Sequence, residues 1–299
     1  MGNRFEITVI VPQQNEAWGN QCIAKAIKEI QRIEHLFTTY NPLSETNLIN
    51  QNAGIAPVKV CTEMMDIILR AQKISDITQG AFDISYGSVD KQLWNFDKNL
   101  NTLPSAETAK KMVYLINYKN IIINKSNHTI FLKNKGMRIG FGGIGKGYAA
   151  EKAKTLLQQL GVQSGIVNAA GDLTTWGCQQ NGKPWTIGLA DPNNAQQPFS
   201  YLNISNLAIA TSGNYEKFVT INGKKYSHTI NPKTGLPISG IKSVSIICPN
   251  AEIADALATP VTIMGVKVGL HMINQMKNIA CIIIDDNNNL YHSNNINLN

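Results

Sequence analysis

A carboxylate and a hydroxyl stand four residues apart in the stretch AEIADALATP, at Asp255 and Thr259. On a helix this spacing places both side chains on one face. Pro260 has no N–H, so the carbonyl of Ala256 should lose its helical partner and Thr259 should leave helical geometry. We therefore expect the helix to break here. An all-oxygen set at a helix end suits Mg²⁺, but these residues alone favour the alternative of an ordinary helix end with a surface aspartate.

His228 stands in the stretch YSHTINPKTGLP, between a predicted strand and a turn that contains proline and glycine. Binding residues concentrate at such positions. A histidine titrates near neutral pH and can act as a general base or contact a phosphate. A lone histidine is more often structural or exposed to solvent, so both interpretations stay open. No nucleophile elbow and no Cys/His signature supports a hydrolase of that type.

The stretch GFGGIGKGYA, residues 140–149, matches two phosphate-binding patterns in part. The P-loop pattern needs a Ser or Thr hydroxyl for Mg²⁺ after its lysine, but Gly147 follows Lys146. The dinucleotide pattern needs an acidic residue about 20 residues further on, and Asp172 lies well beyond that spacing. Neither pattern is complete. A packed glycine turn without a ligand and a backbone cradle for another ligand or metal both stay open.

Composition narrows the function classes. The chain has 299 residues, and 43% hydrophobic residues suffice for a sizeable core. The net charge of +7 comes from scattered Lys and Arg, which disfavours nucleic acid and suits an anionic small molecule such as a nucleotide. The five cysteines lack a C-x-x-C spacing, which disfavours a zinc site and a disulfide framework. We recognise no signal peptide and expect no membrane span.

The elements that must position these residues mix helix and strand patterns. Apolar residues at spacings of three and four predict helices over about Glu16–Phe37 and Thr62–Thr78. The glycine loop should follow a strand, MRIGF, and open a helix that reaches about Leu160. Two more helices are expected over about 251–258 and 266–276. The stretches TTYNPLSETNLINQNAG and GAFDISYGSVDKQLWNFD are predicted to be turns and a functional loop.

Strand patterns fill most of the rest of the chain. Asn222-Gly223 is a hairpin signal between two of these strands. The other predicted strands are RFEITVIVP, NIIIN, TIFLK, SGIVNAAGDLTTWG, WTIGLADP, YLNISNLAIATS, KSVSIICP and the final hairpin IACIIIDDNNNLYHS. Runs of strands beside helices predict an α+β fold with mixed or antiparallel sheets and packed helices. No linker or repeat divides residues 1–299, so we expect a single domain.

Seven motifs together resemble the ApbE family, the FAD:protein FMN transferases. They occur in the family's order and are FTTYNPLSETNLIN, GAFDISYG, GFGGIGKGYAAEKA, VNAAGDL, ATSGNY, YSHTINPKTGLP and ADALATPVTIMG. The resemblance runs over nearly the whole chain. It implies an ApbE-like fold and a Mg²⁺-dependent enzyme that moves FMN from FAD onto a Thr or Ser hydroxyl of an acceptor flavoprotein, leaving a phosphoester and releasing AMP.

The resemblance leaves alternatives for the activity. Some relatives hydrolyse FAD to FMN and AMP, so an FAD pyrophosphatase stays open, as does a non-catalytic FAD-binding protein. The paired Asp255 and Thr259 disfavour the carrier. The family further implies a periplasmic location, including an inner-membrane lipoprotein whose lipid anchor is absent from this chain, while a cytoplasmic location stays open.

The resemblance also implies roles for individual residues. The metal ligands would be the main chain of Gly143, the carboxylate of Asp255 and the hydroxyl of Thr259, with Asp255 counted as catalytic. His228 would be the general base. The FAD contacts would be Met1, Tyr40, Ala81, Phe82, Asp83, Lys146, His228 and Thr229. Two positions depart from the family: Gly140 stands where many members have an FAD-contacting Asp, and Glu151 replaces an Asp at a position that we expect to be structural.

Overall fold

We describe the protein from a computed structural model, which describes residues 4–90, 102–191, 194–213 and 218–296. The predicted α+β class is confirmed, with six α-helices and antiparallel sheets in these residues. The helices are α1 (Glu16–Phe37), α2 (Glu45–Gln51), α3 (Thr62–Ile77), α4 (Ala106–Val113), α5 (Gly145–Gln159) and α6 (Ala251–Ile273).

A seven-stranded antiparallel sheet with the order β1-β5-β6-β9-β12-β13-β14 forms the centre of the fold. Its strands are β1 (Phe5–Ile10), β5 (Ser164–Ala169), β6 (Asp172–Trp176), β9 (Ala208–Gly213), β12 (Ile241–Cys248), β13 (Ala280–Asp285) and β14 (Leu290–His292). Helix α5 packs on β5 and β6, and α6 packs on β9 and β12. Because α5 and α6 also pack on each other, the start of α5 is enclosed between α6 and the sheet.

Three smaller sheets complete the described part of the chain. A three-stranded sheet has the order β2-β4-β3, and two hairpins pair β7 with β8 and β10 with β11. Their strands are β2 (Val58–Lys59), β3 (Ile121–Asn124), β4 (Thr129–Leu132), β7 (Trp185–Asp191), β8 (Asn194–Ile204), β10 (Phe218–Ile221) and β11 (Lys224–Ser227). The turn of the last hairpin has Asn222 at φ 50° and Gly223 at φ 77°, as its Asn-Gly sequence predicts.

The predicted strand MRIGF is wrong, although its alternating burial is correct. Met137 and Ile139 are buried and Arg138 is exposed, as in a strand. The backbone is satisfied by side chains instead of by a neighbouring strand. Ile139 N donates to Asn50 Oδ1 at 2.7 Å, and Asn50 Nδ2 donates to the Ile139 carbonyl at 3.0 Å. Side-chain pairing of this kind leaves no trace in the hydrophobic pattern.

The expected break at Pro260 is also wrong. Helical geometry continues through Pro260, and α6 is broken instead at Gly265, at φ 76° and ψ 176°. The expected second helix over about 266–276 therefore does begin after a break, but the break lies five residues beyond the proline. The missing N–H costs one helical bond, but nearly all residues from Ala254 to Thr262 are buried, where α6 packs on α5 and the sheet, and this packing keeps the chain helical through Pro260. By length and composition α6 could cross a membrane. In this fold it is a core helix.

The stretch predicted as turns contains one helix. Ser44 caps α2, because its Oγ accepts a hydrogen bond from Asn47 N at 3.1 Å. The stretch predicted as a functional loop contains a short 3₁₀ helix at Ile84–Ser88, and its part after Asp90 lies outside the described residues.

Candidate active site

The start of α5 is capped by a residue from another helix. The residue before the first turn is Ile144, whose side chain has no oxygen to accept a hydrogen bond. Asp255 of α6 supplies the acceptor: its Oδ2 lies 2.9 Å from Gly147 N, and the backbone of Lys146 also donates to this carboxylate. The predicted site residues Asp255 and Lys146 therefore meet at a helix N-terminus, where backbone N–H groups favour negative charge.

Gly147 is glycine because α5 and α6 touch at this residue. A Cβ at Gly147 would lie 2.1 Å from the carbonyl oxygen of Ala251 and 2.7 Å from Asp255 Cβ. No side chain fits there. The residue that disqualifies the P-loop pattern thus serves close helix packing, and it brings the Asp255 carboxylate onto the first turn of α5.

Asp172 joins the same site, although the sequence analysis did not include it among the site residues. It begins β6 after a two-residue turn at Ala170 (φ 53°) and Gly171 (φ 99°). Asp172 Oδ2 lies 2.5 Å from Lys146 Nζ, and its Oδ1 accepts a hydrogen bond from Thr211 N at 3.2 Å. We call Lys146, Asp172 and Asp255 the Lys146 cluster. The motif VNAAGDL contains this aspartate, but only the strand pairing shows that it faces α5.

The three charged groups of the Lys146 cluster shift one another's pKa values. Burial is the main cause that raises the pKa of Asp255, and the charge of Asp172 raises it further. Burial also raises the pKa of Asp172 above its ordinary value, against the opposing effect of Lys146. Burial alone would lower the pKa of Lys146, but the two carboxylates outweigh it and the pKa is raised. Lys146 therefore stays protonated and positively charged.

The donor set fits a hard divalent cation. Two buried carboxylates, Asp172 and Asp255, crowd one ammonium, which is the kind of charge excess that Mg²⁺ relieves. Thr259 follows Asp255 by one turn of α6 and is half-buried, and Gly143 is half-buried just before α5. Among the described residues, no group of three or more His, Cys, Asp or Glu side chains is arranged to hold a metal. The predicted ligands are a carboxylate, a hydroxyl and a carbonyl, so Gly143, Asp255 and Thr259 stay predictions.

A pocket of about 260 Å³ opens beside the glycine loop. It is lined by Tyr40 and Lys146, two of the predicted FAD contacts, and by Thr38, Thr39 and residues of the glycine loop. Tyr40 is 95% exposed, so its ring is free to cover a ligand. Gly140 lines the same pocket, and a Cβ there would meet only Thr39 Cγ2 at 3.9 Å. Packing therefore does not exclude the family's Asp at this position.

The segment Ala81–Asp83 lies behind the glycine loop and is buried. A Cβ at Gly143 would lie 3.6 Å from Phe82 Cε2, so the ring of Phe82 supports the predicted metal-binding backbone. Asp83 Oδ1 accepts hydrogen bonds from Ser85 N at 2.8 Å and Ser85 Oγ at 2.6 Å, and its Oδ2 accepts one from Tyr118 N at 2.8 Å. Burial still raises the pKa of Asp83. Its observed partners give Asp83 a role in shaping this segment, and its contact with FAD stays a prediction.

Side-chain hydrogen bonds connect the following 3₁₀ helix, Ile84–Ser88, to two other motifs. Ser88 Oγ accepts a hydrogen bond from Arg138 N at 2.8 Å and lies 3.0 Å from the Arg138 carbonyl, which links the segment to the glycine loop. Ile230 N donates to Tyr86 Oη at 3.0 Å, which links it to the stretch that contains His228. The motifs GAFDISYG, GFGGIGKGYA and YSHTINP, far apart in sequence, are thereby brought together.

His228 and Thr229 directly follow β11. His228 is exposed, and Thr229 is half-buried, with its N–H donating to Ser227 Oγ at 2.9 Å. The structure thus gives His228 the accessibility that a general base requires. Its predicted role, and that of Thr229 as an FAD contact, stay predictions, while Met1 lies outside the described residues.

Lys233 was not predicted, and it lies between two clefts. The larger cleft, of about 610 Å³, contains the predicted FAD contact Ala81 together with Asn231, and the smaller, of about 420 Å³, contains Asp83. Lys233 lines both clefts. The sequence signal was the motif NPKTG, which places a lysine in the turn after His228. Of the predicted FAD contacts, Tyr40 and Lys146 line the pocket beside the glycine loop, while Ala81 and Asp83 line these clefts.

Comparisons with known proteins identify the family to which this chain is similar. A family model described as the ApbE family matches residues 1–283. A protein of Klebsiella pneumoniae named FAD:protein FMN transferase is 28% identical over 269 residues, which cover 89% of this chain and 83% of the relative. An Escherichia coli K12 protein of the same name is 29% identical over 238 residues, covering 78% and 68% of the two chains.

Solved structures show the same fold. The ApbE protein of Thermotoga maritima superposes with a TM-score of 0.86 at 28% identity, covering 98% of this chain and 94% of that one. The flavin transferase ApbE of Vibrio cholerae superposes with a TM-score of 0.83 at 24% identity, again over 98% and 94%.

Proposed function

Because this chain belongs to the ApbE family, we propose that it is a Mg²⁺-dependent transferase that moves FMN from FAD onto a Thr or Ser hydroxyl of an acceptor flavoprotein. The observation that carries the proposal is the Lys146 cluster at the start of α5. It combines an ammonium 2.5 Å from a buried carboxylate, a second buried carboxylate on backbone N–H groups, and a pocket beside the glycine loop. Phosphate chemistry uses such parts for positioning and charge stabilisation.

The chain's own residues can divide the work of the reaction. Lys146 would contact the FAD pyrophosphate, and the backbone N–H groups at the start of α5 favour negative charge. Tyr40 and the segment Ala81–Asp83 would hold the rest of FAD. Gly143, Asp255 and Thr259 would hold Mg²⁺, whose bound charge stabilises the phosphate oxygens.

His228 is the proposed general base. It accepts the proton of the acceptor hydroxyl, whose oxygen forms a bond to the FMN phosphorus. The bond from this phosphorus to the bridging oxygen of the pyrophosphate breaks, and its electron pair leaves with AMP. If the acceptor is water, the same steps give free FMN. The pyrophosphatase and the transferase therefore share every residue of the site and differ in the acceptor.

One assay separates the candidate functions. The protein is incubated with FAD, Mg²⁺ and a flavoprotein domain with a known Thr flavinylation site, beside the same domain with that Thr changed to Ala. We expect flavin fluorescence on the unmodified domain alone in a denaturing gel, together with AMP. Free FMN and AMP without a labelled band would identify a pyrophosphatase. FAD binding without AMP would identify a carrier.

The variant His228→Ala tests the proposed base. We expect FAD binding to be kept within about twofold, because the exposed His228 is proposed to act on the acceptor hydroxyl, while the rate of transfer falls roughly 100-fold or more. Flavin binding and the initial rate of label incorporation measure the two effects. Wild-type rates in this variant would remove His228 from the chemistry.

A further inference from the structure

The Lys146 cluster places two acidic side chains beside one lysine. Asp172 and Asp255 are both buried, and the side chain of Asp172 is only 3% exposed. The ammonium of Lys146 lies 2.5 Å from Asp172 Oδ2, and the N–H of the next residue, Gly147, donates to Asp255 Oδ2 at 2.9 Å. With both acids ionised, the cluster has one uncompensated negative charge in a place where water screens it poorly.

A second lysine on the same helix, the buried Lys154, belongs to a cluster whose charges are balanced. Lys154 Nζ lies 2.9 Å from Glu151 Oε1 and 3.2 Å from Thr174 Oγ1, on the same strand as Asp172. Glu151 Oε2 also accepts a hydrogen bond from Ala251 N at 2.9 Å. We call Glu151, Lys154 and Thr174 the Lys154 cluster. It pairs one carboxylate with one ammonium, so the excess at Lys146 is a property of that site and not of the α5–β6 contact in general.

We propose that Asp172 makes FAD binding depend on a divalent cation: together with Asp255, its charge repels the FAD pyrophosphate until the cation is bound. The inference rests on the proposed function, which places the pyrophosphate beside Lys146. Asp172 is then a residue that sets the order of binding, and it needs no direct contact with FAD.

The pyrophosphate is doubly negative, and a site with excess negative charge disfavours it, whereas a bound cation with two positive charges reverses the sign of that excess. The same carboxylate therefore favours the cation and opposes FAD alone. By linkage, each ligand then increases the affinity for the other by the same factor.

Asp172→Asn separates this role from a structural one. Asparagine has the same shape and keeps an Oδ1 for Thr211 N, so the hairpin should persist. Removal of one charge should tighten FAD binding in EDTA about tenfold and weaken the binding of Mn²⁺ alone about tenfold. Flavin fluorescence at pH 8 and Mn²⁺ electron paramagnetic resonance measure the two affinities. Loss of a purely structural residue would weaken both.

Two further variants complete the test. Lys146→Met removes the positive charge, so each affinity should change in the direction opposite to that in Asp172→Asn. Mn²⁺ should bind more tightly, and FAD in EDTA should bind more weakly. Glu151→Gln removes a carboxylate from the Lys154 cluster and should leave both affinities within about twofold, because that charge is paired away from the pocket.

The outcomes distinguish the inference from the proposed function. Weaker FAD binding in EDTA for Asp172→Asn, an unchanged Mn²⁺ affinity for that variant, or equal effects in Glu151→Gln would each overturn the inference and leave the transferase proposal standing. A wild-type protein that binds no FAD in the presence of Mn²⁺ would instead contradict the proposed function itself.

Discussion

Two lysines on α5 face the same strand, yet their surroundings differ in charge balance and in access to solvent. Lys154 has a side chain that is 10% exposed and one carboxylate partner, Glu151. Lys146 has a side chain that is 24% exposed, and it lies against two carboxylates and a pocket. A charge away from water needs an oppositely charged partner, and each lysine has at least one carboxylate partner.

The difference lies in what remains after each lysine is paired. In the Lys154 cluster, Glu151 also accepts a hydrogen bond from Ala251 N at the start of α6. Both oxygens of this carboxylate are therefore bound by other groups of the protein. In the Lys146 cluster a second acid, Asp255, lies beside the ion pair, and a pocket lined by the glycine loop adjoins Lys146. Buried ion pairs alone are weak evidence of function. An unbalanced pair beside a pocket is a better indication of a ligand site.

The largest expected effect comes from removal of the second carboxylate. Asp255→Ala should lower Mg²⁺-dependent turnover of FAD by at least about 100-fold, because it removes the predicted metal ligand and the acceptor for Gly147 N. AMP release, followed by chromatography, measures the loss. Asp255→Asn, which retains an oxygen acceptor for Gly147 N, separates the charge from the cap. Turnover at the wild-type level in both variants would show that the Lys146 cluster is structural, like the Lys154 cluster.

Gly147→Ala tests whether helix packing creates the Lys146 cluster. An added Cβ would lie 2.1 Å from the Ala251 carbonyl, so α5 and α6 must separate. We expect the free energy of unfolding to fall by about 1–3 kcal/mol and FAD turnover to fall with it. Thermal unfolding measures stability.

Gly142→Ala is the matched control for this variant. It lies in the same loop, and a Cβ there would meet nothing within 4 Å. Its stability should stay within about 0.5 kcal/mol of the wild type. Equal stabilities for the two variants would show that the close approach of α5 and α6 is not required.

Local patterns in the sequence were sufficient for regular elements. The predicted helix at Glu16–Phe37 and the hairpin at Asn222-Gly223 are confirmed, because apolar spacing and turn chemistry act over a few residues. Helix α6 was predicted less well. The chain stays helical through Pro260 because the residues on both sides of it are buried, and it breaks at Gly265 instead. A proline in the sequence does not show how its neighbours will pack.

The candidate site was predictable only where a motif named its residues. The resemblance pointed to Asp255 and Lys146, and the structure brings them together at the start of α5. Asp172 was missed as their partner because the contact depends on the turn at Ala170 and on the position of β6 beside α5. Lys233 was missed for a similar reason, since its position between two clefts is a property of the assembled loops.

The most direct test of this account compares the two lysines in one experiment. FAD affinity in the presence of Mn²⁺ is measured by flavin fluorescence for Lys146→Met and Lys154→Met, and thermal unfolding is measured alongside. We expect Lys146→Met to bind FAD about tenfold or more weakly, because an ion-paired contact to phosphate is lost. Lys154→Met should keep its FAD affinity within about twofold while its free energy of unfolding falls by about 1–3 kcal/mol. Equal losses of FAD affinity in the two variants would contradict the account.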